Sequence, residues 1–304
     1  MIRKHIIPAI LVVILLVSAF SGCTPRGEAP DEPGTSGSHA ANREPGTTNA
    51  KPASPDVWDF TMDVLEAKEI NEDTVGWLYM TGIDIDEVVV HNAEDNQYYL
   101  RRTFEKQTVE EAGDAAFQGV YYADRRSVFG DGSRKELGVN TCIYGHAMTD
   151  NPENDRYQVK FGPLHDYRDP GYARNMPYIY FSTEKENMVF EVIAVFTVNC
   201  DNSDIPYNAN TEDAAAFVKM VEEEILPRSK YNYDVKLKDT DKFLTLSTCI
   251  YTMDNGYVTN YPNTYMRYGI MARLVDPKEK LKDEADFTIN EDVIIDKDGK
   301  ISSK

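Results

Sequence analysis

The chain has 304 residues, a net charge of −19 and an apolar content of 41%. This excess of acid excludes a nucleic-acid-binding protein, because neutralising phosphates requires a surplus of Lys and Arg. The apolar content excludes a wholly disordered chain, and the four cysteines, at positions 23, 142, 200 and 249, are too few for a disulfide-stapled mini-domain. We therefore expect one large domain or two small ones, stabilised by packing.

The N-terminal segment indicates export. Arg3 and Lys4 precede an apolar run over residues 6–20, which is the layout of a signal sequence. Small residues then lead into Cys23, and this end resembles a bacterial lipobox, in which Cys23 would be lipidated and become the mature first residue. The alternative is an uncleaved anchor, since the run is just short of the roughly 20 residues that cross a bilayer. These interpretations, and ordinary cleavage too, place the remaining chain outside the cytoplasmic membrane.

Composition divides the rest of the chain into three parts. Residues 24–55 are rich in Pro, Gly, Ser, Thr and Ala, and they cannot bury enough surface to offset chain entropy, so we expect a disordered tether. Residues 56–276 carry the apolar patterns of a folded domain. Residues 277–304 are again mostly charged, and we expect a peripheral tail with at most one weak hairpin.

The folded part is predicted to be mainly β. A mixed helical stripe over residues 57–67 opens it, and residues 69–77 continue as a capped or turned segment. Short apolar or alternating runs then predict about eight strands, at residues 87–91, 98–104, 119–123, 138–144, 178–181, 188–199, 242–249 and 268–275. One helix interrupts them at residues 211–226, with Thr211 as N-cap and Pro227 at its end. A single closed β-barrel with peripheral helices is the economical architecture.

Three reactive side chains stand at predicted strand ends. Cys249 closes the run over residues 242–249, His146 follows the strand at 138–144, and Arg267 opens the strand at 268–275. If the strands carrying Cys249 and Arg267 pair antiparallel, the two residues lie at the same end of the sheet. Arg273 is an alternative arginine, but it lies well inside its strand.

This trio predicts acyl transfer. An imidazolium stabilises a thiolate nucleophile, and an Arg can bind the oxyanion of a tetrahedral intermediate without losing its charge. Each residue alone has an ordinary interpretation, and for the remaining ones we prefer it. We expect Cys142 and Cys200 to be inert, as small apolar side chains, and His91 and His165 to be solvated or to cap a helix or strand.

Three segments of the chain also resemble the sortases, the cysteine transpeptidases of Gram-positive cell envelopes. These are YGHAM at 144–148, TLSTC at 245–249 and RYGIMARLV at 267–275, which occur in the family's order of His, Cys and Arg. The resemblance continues upstream over residues 70–90 and 96–104 and so covers residues 56–276. The opening helices and the helix inserted before the Cys strand are similar to class B. The chain departs from class B in the long spacing, residues 250–266, between Cys249 and Arg267.

The resemblance implies a role for each motif residue. Cys249 would be the nucleophile, His146 the acid/base partner and Arg267 the oxyanion or substrate stabiliser, with Ser247 and Thr248 in the substrate groove. The implied reaction cleaves a C-terminal sorting pentapeptide of a secreted protein through a Cys thioester, and transfers that protein to an amine of a peptidoglycan precursor or crossbridge. No metal or organic cofactor is required.

Three other functions remain open on the sequence. A pilin-polymerising sortase differs only in its final amine acceptor, although no lid peptide is evident before the barrel. A secreted cysteine peptidase or peptidoglycan hydrolase also uses Cys and His, but it usually has the Cys first in the chain. An extracellular binding lipoprotein explains the acidic surface and Cys23, but leaves the trio at strand ends unexplained.

Overall fold

Eight β-strands close into a barrel, as the sequence predicts. The computed structural model describes residues 59–200, 212–252 and 265–296, all within one compact unit, Thr48–Lys304. The barrel strands are β1 (Thr74–Met80), β2 (Ile85–His91), β3 (Tyr121–Ala123), β4 (Asn140–Tyr144), β5 (Tyr178–Ser182), β6 (Asn187–Asn199), β8 (Phe243–Cys249) and β9 (Met266–Leu274), and a further strand, β7 (Tyr231–Tyr233), lies between β6 and β8 in the chain. Around the barrel their order is β1, β2, β3, β4, β8, β9, β6, β5, after which β5 returns to β1.

Two of the predicted elements are wrong. Residues 69–77, predicted as a capped or turned segment, include the first four residues of β1, and residues 98–104, predicted as a strand, form turns and coil. Every second residue of β1 is buried, but the partly exposed positions between them include Trp77 and Tyr79. Because these side chains are large and aromatic, the sequence does not show a clear alternation of polar and apolar residues. Both rings lie against Phe60, at centroid distances of 5.6 and 5.5 Å.

The helices lie around the barrel and at its ends. The α-helices are α1 (Thr61–Ile70), α2 (Val109–Ala112), α3 (Asp114–Gln118), α4 (Pro170–Asn175) and α5 (Ala214–Met220). A π-helical turn (Val221–Ile225) and a 3-10 turn (Leu226–Arg228) continue α5, and a separate 3-10 helix spans Gly162–Arg168, called the 162–168 helix below. Within the described residues, no helix is both long and apolar enough to cross a bilayer.

The main core fills the barrel and includes one side of the 162–168 helix. Inward-facing residues of all eight barrel strands meet Leu164 and Tyr167 of this helix, and both side chains are fully buried. His165 of this helix contacts the Cys249 carbonyl and the Tyr268 ring, so the helix packs under the end of the barrel at which β8 ends and β9 begins, which is the end that carries the predicted trio.

A second core lies on the outer face of the barrel. The side chains of Phe217, Val218, Val221 and Ile225 cover Cys142, Phe196 and Met271 on the strands beneath. These strands are thus buried on both faces, which explains their nearly continuous apolar sequences. Helix α5 begins at Ala214, and the side chain of Asp213 accepts the capping hydrogen bond from the backbone N–H of Ala216. Thr211, the predicted N-cap, lies outside the described residues.

The C-terminal residues pack onto the domain beyond the predicted boundary at residue 276. Strand β10 (Phe287–Ile289) pairs antiparallel with β7, and Phe287 is only 5% exposed. The Arg228 guanidinium forms an ion pair with Asp296 at 3.0 Å. The folded part therefore continues to about residue 296, because this segment supplies apolar side chains to the core. The predicted signal segment, the tether and Cys23 lie outside the described residues.

Candidate active site

Cys249 and Arg267 are direct cross-strand partners. Strands β8 and β9 pair antiparallel from Phe243 opposite Arg273 to Cys249 opposite Arg267. The last residue of β8 therefore faces one of the first residues of β9, as expected from the sequence. Directly opposite residues in an antiparallel pair have Cβ atoms about 5 Å apart, which lets a guanidinium reach a group bound at the thiol.

His146 enters the site from the other side of β8. Strand β4 runs parallel to β8, with Tyr144 opposite Ser247, and the Gly145 N–H donates to the Ser247 carbonyl at 3.4 Å. His146 and Cys249 each come two residues after this last pair, so the two residues lie at the same height at this end of the barrel. The side chains of His146, Cys249 and Arg267 are all partly exposed.

The imidazole of His146 is oriented by one backbone carbonyl. Its Nε2 lies 2.7 Å from the Leu100 oxygen, and a carbonyl can only accept, so Nε2 carries the proton and Nδ1 is the basic nitrogen. Burial lowers the pKa of His146 below its ordinary value, and the charges of Arg101 and Lys160 act in the same direction. The ring is therefore mostly neutral at pH 7.

Ser247 and Thr248, the two residues before Cys249, lie on opposite faces of β8. Ser247 lies on the same outer face as Cys249, and it is 2% exposed. Thr248 points to the opposite face, is 3% exposed, and donates its hydroxyl to the Gly145 carbonyl at 2.7 Å. The Thr248 hydroxyl thus ties β8 to the loop that carries His146, a placement that differs from the expected place in a substrate groove.

Tyr122 is a neighbour of the thiol that sequence reasoning missed. It lies on β3 opposite Tyr144, with ring centroids 5.4 Å apart. Burial, followed by the Cys249 thiol, raises the pKa of Tyr122, while the positive charge of Arg267 opposes the rise. Its hydroxyl is therefore a neutral hydrogen-bonding group within electrostatic range of the cysteine and the arginine. No local signal marks it, since β3 reads only as Tyr-Tyr-Ala.

His165 supports the site from inside, which contradicts the expectation that it is solvated or a cap. It is 4% exposed, and its Nε2 donates to the Cys249 carbonyl at 3.2 Å. Its ring lies 4.5 Å from that of Tyr268, the residue after Arg267. Burial, together with the charge of Arg168, lowers the pKa of His165 to about 3, so the ring is neutral.

The remaining cysteines and the alternative arginine lie in other surroundings. Cys142 is fully buried in the outer core, where burial raises the pKa of its thiol, and Cys200 is partly buried at its edge. Arg273 donates to Glu191 at 2.6 Å and to Glu279 at 2.7 Å. It lies opposite Phe243, at the far end of β8 from Cys249.

The described residues contain no cluster of three or more His, Cys, Asp or Glu side chains placed to hold a metal ion. What they bring together is a thiol, a neutral imidazole, a guanidinium and a phenol at one end of a barrel. These groups can supply a nucleophile, a base and two hydrogen-bond donors.

Comparisons with known proteins find chains of similar sequence and fold. A scan against models of known protein families finds no match. Among curated proteins, the chain is 27% identical over 191 residues to sortase B of Listeria monocytogenes, covering 62% of this chain and 67% of that protein. It is 26% identical over 209 residues to sortase B of Staphylococcus aureus, covering 68% of this chain and 72% of that one.

Solved structures show the same fold. The Staphylococcus aureus sortase B–substrate complex superposes with a TM-score of 0.56 at 22% identity, over 72% of this chain and 87% of that one. Clostridium perfringens sortase B gives a TM-score of 0.54 at 23% identity, over 70% of this chain and 99% of that one. A Bacillus anthracis protein similar to sortase B gives 0.52 at 25% identity, over 69% and 81%.

Proposed function

The chain is a class B-like protein of the sortase family, and we propose that it is a cysteine transpeptidase. In this proposal it cleaves a C-terminal sorting pentapeptide of a secreted protein and transfers that protein to an amine of the cell wall. The observation that carries the proposal is the register at the barrel end, where Cys249 lies opposite Arg267 and His146 follows the neighbouring strand.

The first half-reaction forms a thioester. The neutral Nδ1 of His146 takes the thiol proton as the Cys249 sulfur attacks the carbonyl carbon of a Thr in the sorting peptide. The Arg267 guanidinium hydrogen-bonds the oxygen that becomes negative in the tetrahedral intermediate. When the peptide C–N bond breaks, the imidazolium returns its proton to the leaving amine, and the acyl group remains on sulfur.

The second half-reaction resolves the thioester. An amino group of a cell-wall precursor or crossbridge attacks the same carbonyl carbon, and the neutral His146 accepts the proton that this amine loses. The collapse of the intermediate releases the Cys249 sulfur, which is reprotonated by the imidazolium. The product is an amide that joins the secreted protein to peptidoglycan, and no redox or metal step is required.

Substrate contacts in this proposal come from the outer face of the barrel. Ser247 lies on that face two residues before Cys249, and Tyr122 lies on β3, which is separated from β8 by β4. Thr248 acts indirectly, because its hydroxyl holds the Gly145 carbonyl next to His146.

We also propose that the enzyme works on the extracytoplasmic face of the membrane. The apolar run at residues 6–20 would direct export, a lipid on Cys23 would anchor the chain, and the 24–55 segment would tether the barrel at a distance. This arrangement would bring the site close to secreted substrates as they leave the membrane.

A transfer assay tests the proposed function. Peptides that contain the C-terminal sorting pentapeptides of secreted proteins from the same genome are incubated with the protein, with and without a cell-wall crossbridge peptide. We expect cleavage after Thr and, when the amine is present, a conjugate of the two peptides detected by mass spectrometry. Cys249→Ala should abolish both products, whereas the matched control Cys200→Ala should retain them. Cleavage that never yields a conjugate would instead indicate a hydrolytic cysteine peptidase.

A further inference from the structure

Two loops at the barrel end are joined by side chains beyond the predicted trio. The pairing of β4 with β8 ends at Tyr144 and Ser247, two residues short of His146 and Cys249. The segments that follow His146 and Cys249 are joined by hydrogen bonds beyond this point. The Tyr251 hydroxyl donates to the Ala147 carbonyl at 2.7 Å, directly after His146.

A second connection lies one residue further on. The backbone N–H of Thr252 donates to Asp150 Oδ2 at 2.6 Å. The side chain of Asp150 is only 9% exposed, so its charge requires a partner. Arg168 of the 162–168 helix provides it, with Nη1 at 3.4 Å from Asp150, and also donates Nη2 to the Thr252 carbonyl at 2.5 Å.

The helix that supplies Arg168 also contacts the Cys and Arg strands. The Arg168 guanidinium lies 5.4 Å from the centre of the Tyr268 ring, and His165, one turn earlier, bonds the Cys249 carbonyl. One short helix thus contacts the His146 loop through Asp150, the end of β8 and the residues after it through Cys249 and Thr252, and the Arg267 strand through Tyr268.

We propose that Tyr251, Asp150 and Arg168 form a clasp that sets the position of His146 relative to Cys249. The inference rests on the proposed function, because it concerns the two residues assigned there as base and nucleophile. The three residues are positioning residues and do not touch the substrate. The clasp matters for rate because a misplacement of about 1 Å between reacting groups can cost on the order of 10²-fold.

The test uses two variants, Tyr251→Phe and Asp150→Ala, singly and together. We expect each to lower kcat for a sorting peptide by about 10-fold or more, with KM changed by less than about threefold, since binding is left intact. Because the residues act as one unit, the double variant should lose less than the product of the two single losses. Asp150→Asn keeps an acceptor for the Thr252 N–H and should recover part of the activity.

Tyr157→Phe is the matched control. Its hydroxyl donates to Asp166 at 2.5 Å, so the variant deletes a comparable hydrogen bond in the same region but outside the clasp. It should retain kcat within about twofold while its melting temperature changes as much as that of Tyr251→Phe. Equal kcat losses in both tyrosine variants would overturn the clasp, and so would wild-type kcat in folded Tyr251→Phe and Asp150→Ala.

A second readout requires no substrate. The rate of Cys249 alkylation by iodoacetamide, measured against pH, should change in the clasp double variant toward the profile of His146→Ala. An unchanged profile overturns the clasp, whatever the turnover. If the profile changes in a protein that cleaves no sorting peptide, the clasp is supported and only the proposed function is refuted.

Discussion

Replacement of each of the two arginines of β9 should affect a different property of the protein, activity in one case and stability in the other. Arg267 and Arg273 are six residues apart on one strand, which corresponds to about 20 Å at about 3.4 Å per residue. Arg267 lies beside Cys249, whereas Arg273 lies between Glu191 and Glu279. We expect Arg267→Ala to remove activity and Arg273→Ala to remove stability.

The size of the stability effect follows from burial. The side chains of Arg273 and Glu191 are each 10% exposed, and removing one partner of a buried ion pair costs about 3–5 kcal/mol. The lower end applies here, because Lys282 lies 3.7 Å from Glu191 and replaces part of the lost charge. About 3 kcal/mol corresponds to a fall in Tm of roughly 6–12 °C for a domain of about 200 residues.

Thermal unfolding and peptide turnover of both variants check this prediction. Arg267→Ala should melt within about 3 °C of the wild type and lose about 10²-fold or more in kcat, comparable to the removal of an oxyanion donor. Arg273→Ala, assayed well below its Tm, should keep turnover within a few-fold. The reasoning is refuted if folded Arg273→Ala is inactive while Arg267→Ala turns over peptide at the wild-type rate.

Three further predictions concern other parts of the chain. His165 is neutral when folded, with a pKa of about 3, and titrates near 6.5 when unfolded, so the stability it contributes is present above about pH 6.5 and is lost as the pH falls toward 3. Urea unfolding at several pH values should show a shallower acid loss for His165→Gln than for the wild type, and identical slopes would contradict the assignment. Iodoacetamide under native conditions should label mainly Cys249, because Cys142 is fully buried and Cys200 has no adjacent His in the sequence, and equal labelling of Cys142 would count against this. Mass spectrometry of the native protein should find a lipid on Cys23, and an intact N-terminal segment would show an uncleaved anchor instead.

The barrel and the reactive residues at its end could be predicted from the sequence because both depend on local patterns. Strands β4, β8 and β9 are mainly apolar runs with a reactive residue at or just beyond one end, so the order of the runs and these ends could be predicted directly. The antiparallel pairing that places Cys249 opposite Arg267 was expected on the condition that these strands are neighbours, and they are.

Elements that depend on distant contacts could not be read in this way. The alternation at residues 98–104 suggests a strand, but the backbone N–H of Leu100 donates to the Gln97 carbonyl at 3.1 Å and closes a turn, and the Tyr99 hydroxyl donates to the distant Asp73 at 2.6 Å. His165 has no apolar pattern that marks it as buried, because the barrel end that covers it comes from β8 and β9, far along the chain. The clasp residues likewise meet only after folding, since Tyr251 and Ala147 are separated by 104 positions.

The most direct test of the central claim is to isolate the acyl-enzyme. The protein is mixed with a sorting peptide and quenched in acid, and the modified residue is located by peptide mass spectrometry. We expect the acyl fragment on Cys249 as a thioester that hydroxylamine releases, with slower formation in His146→Ala and no adduct in Cys249→Ala. Peptide cleavage that persists in Cys249→Ala, or an adduct carried by another residue, would contradict the account.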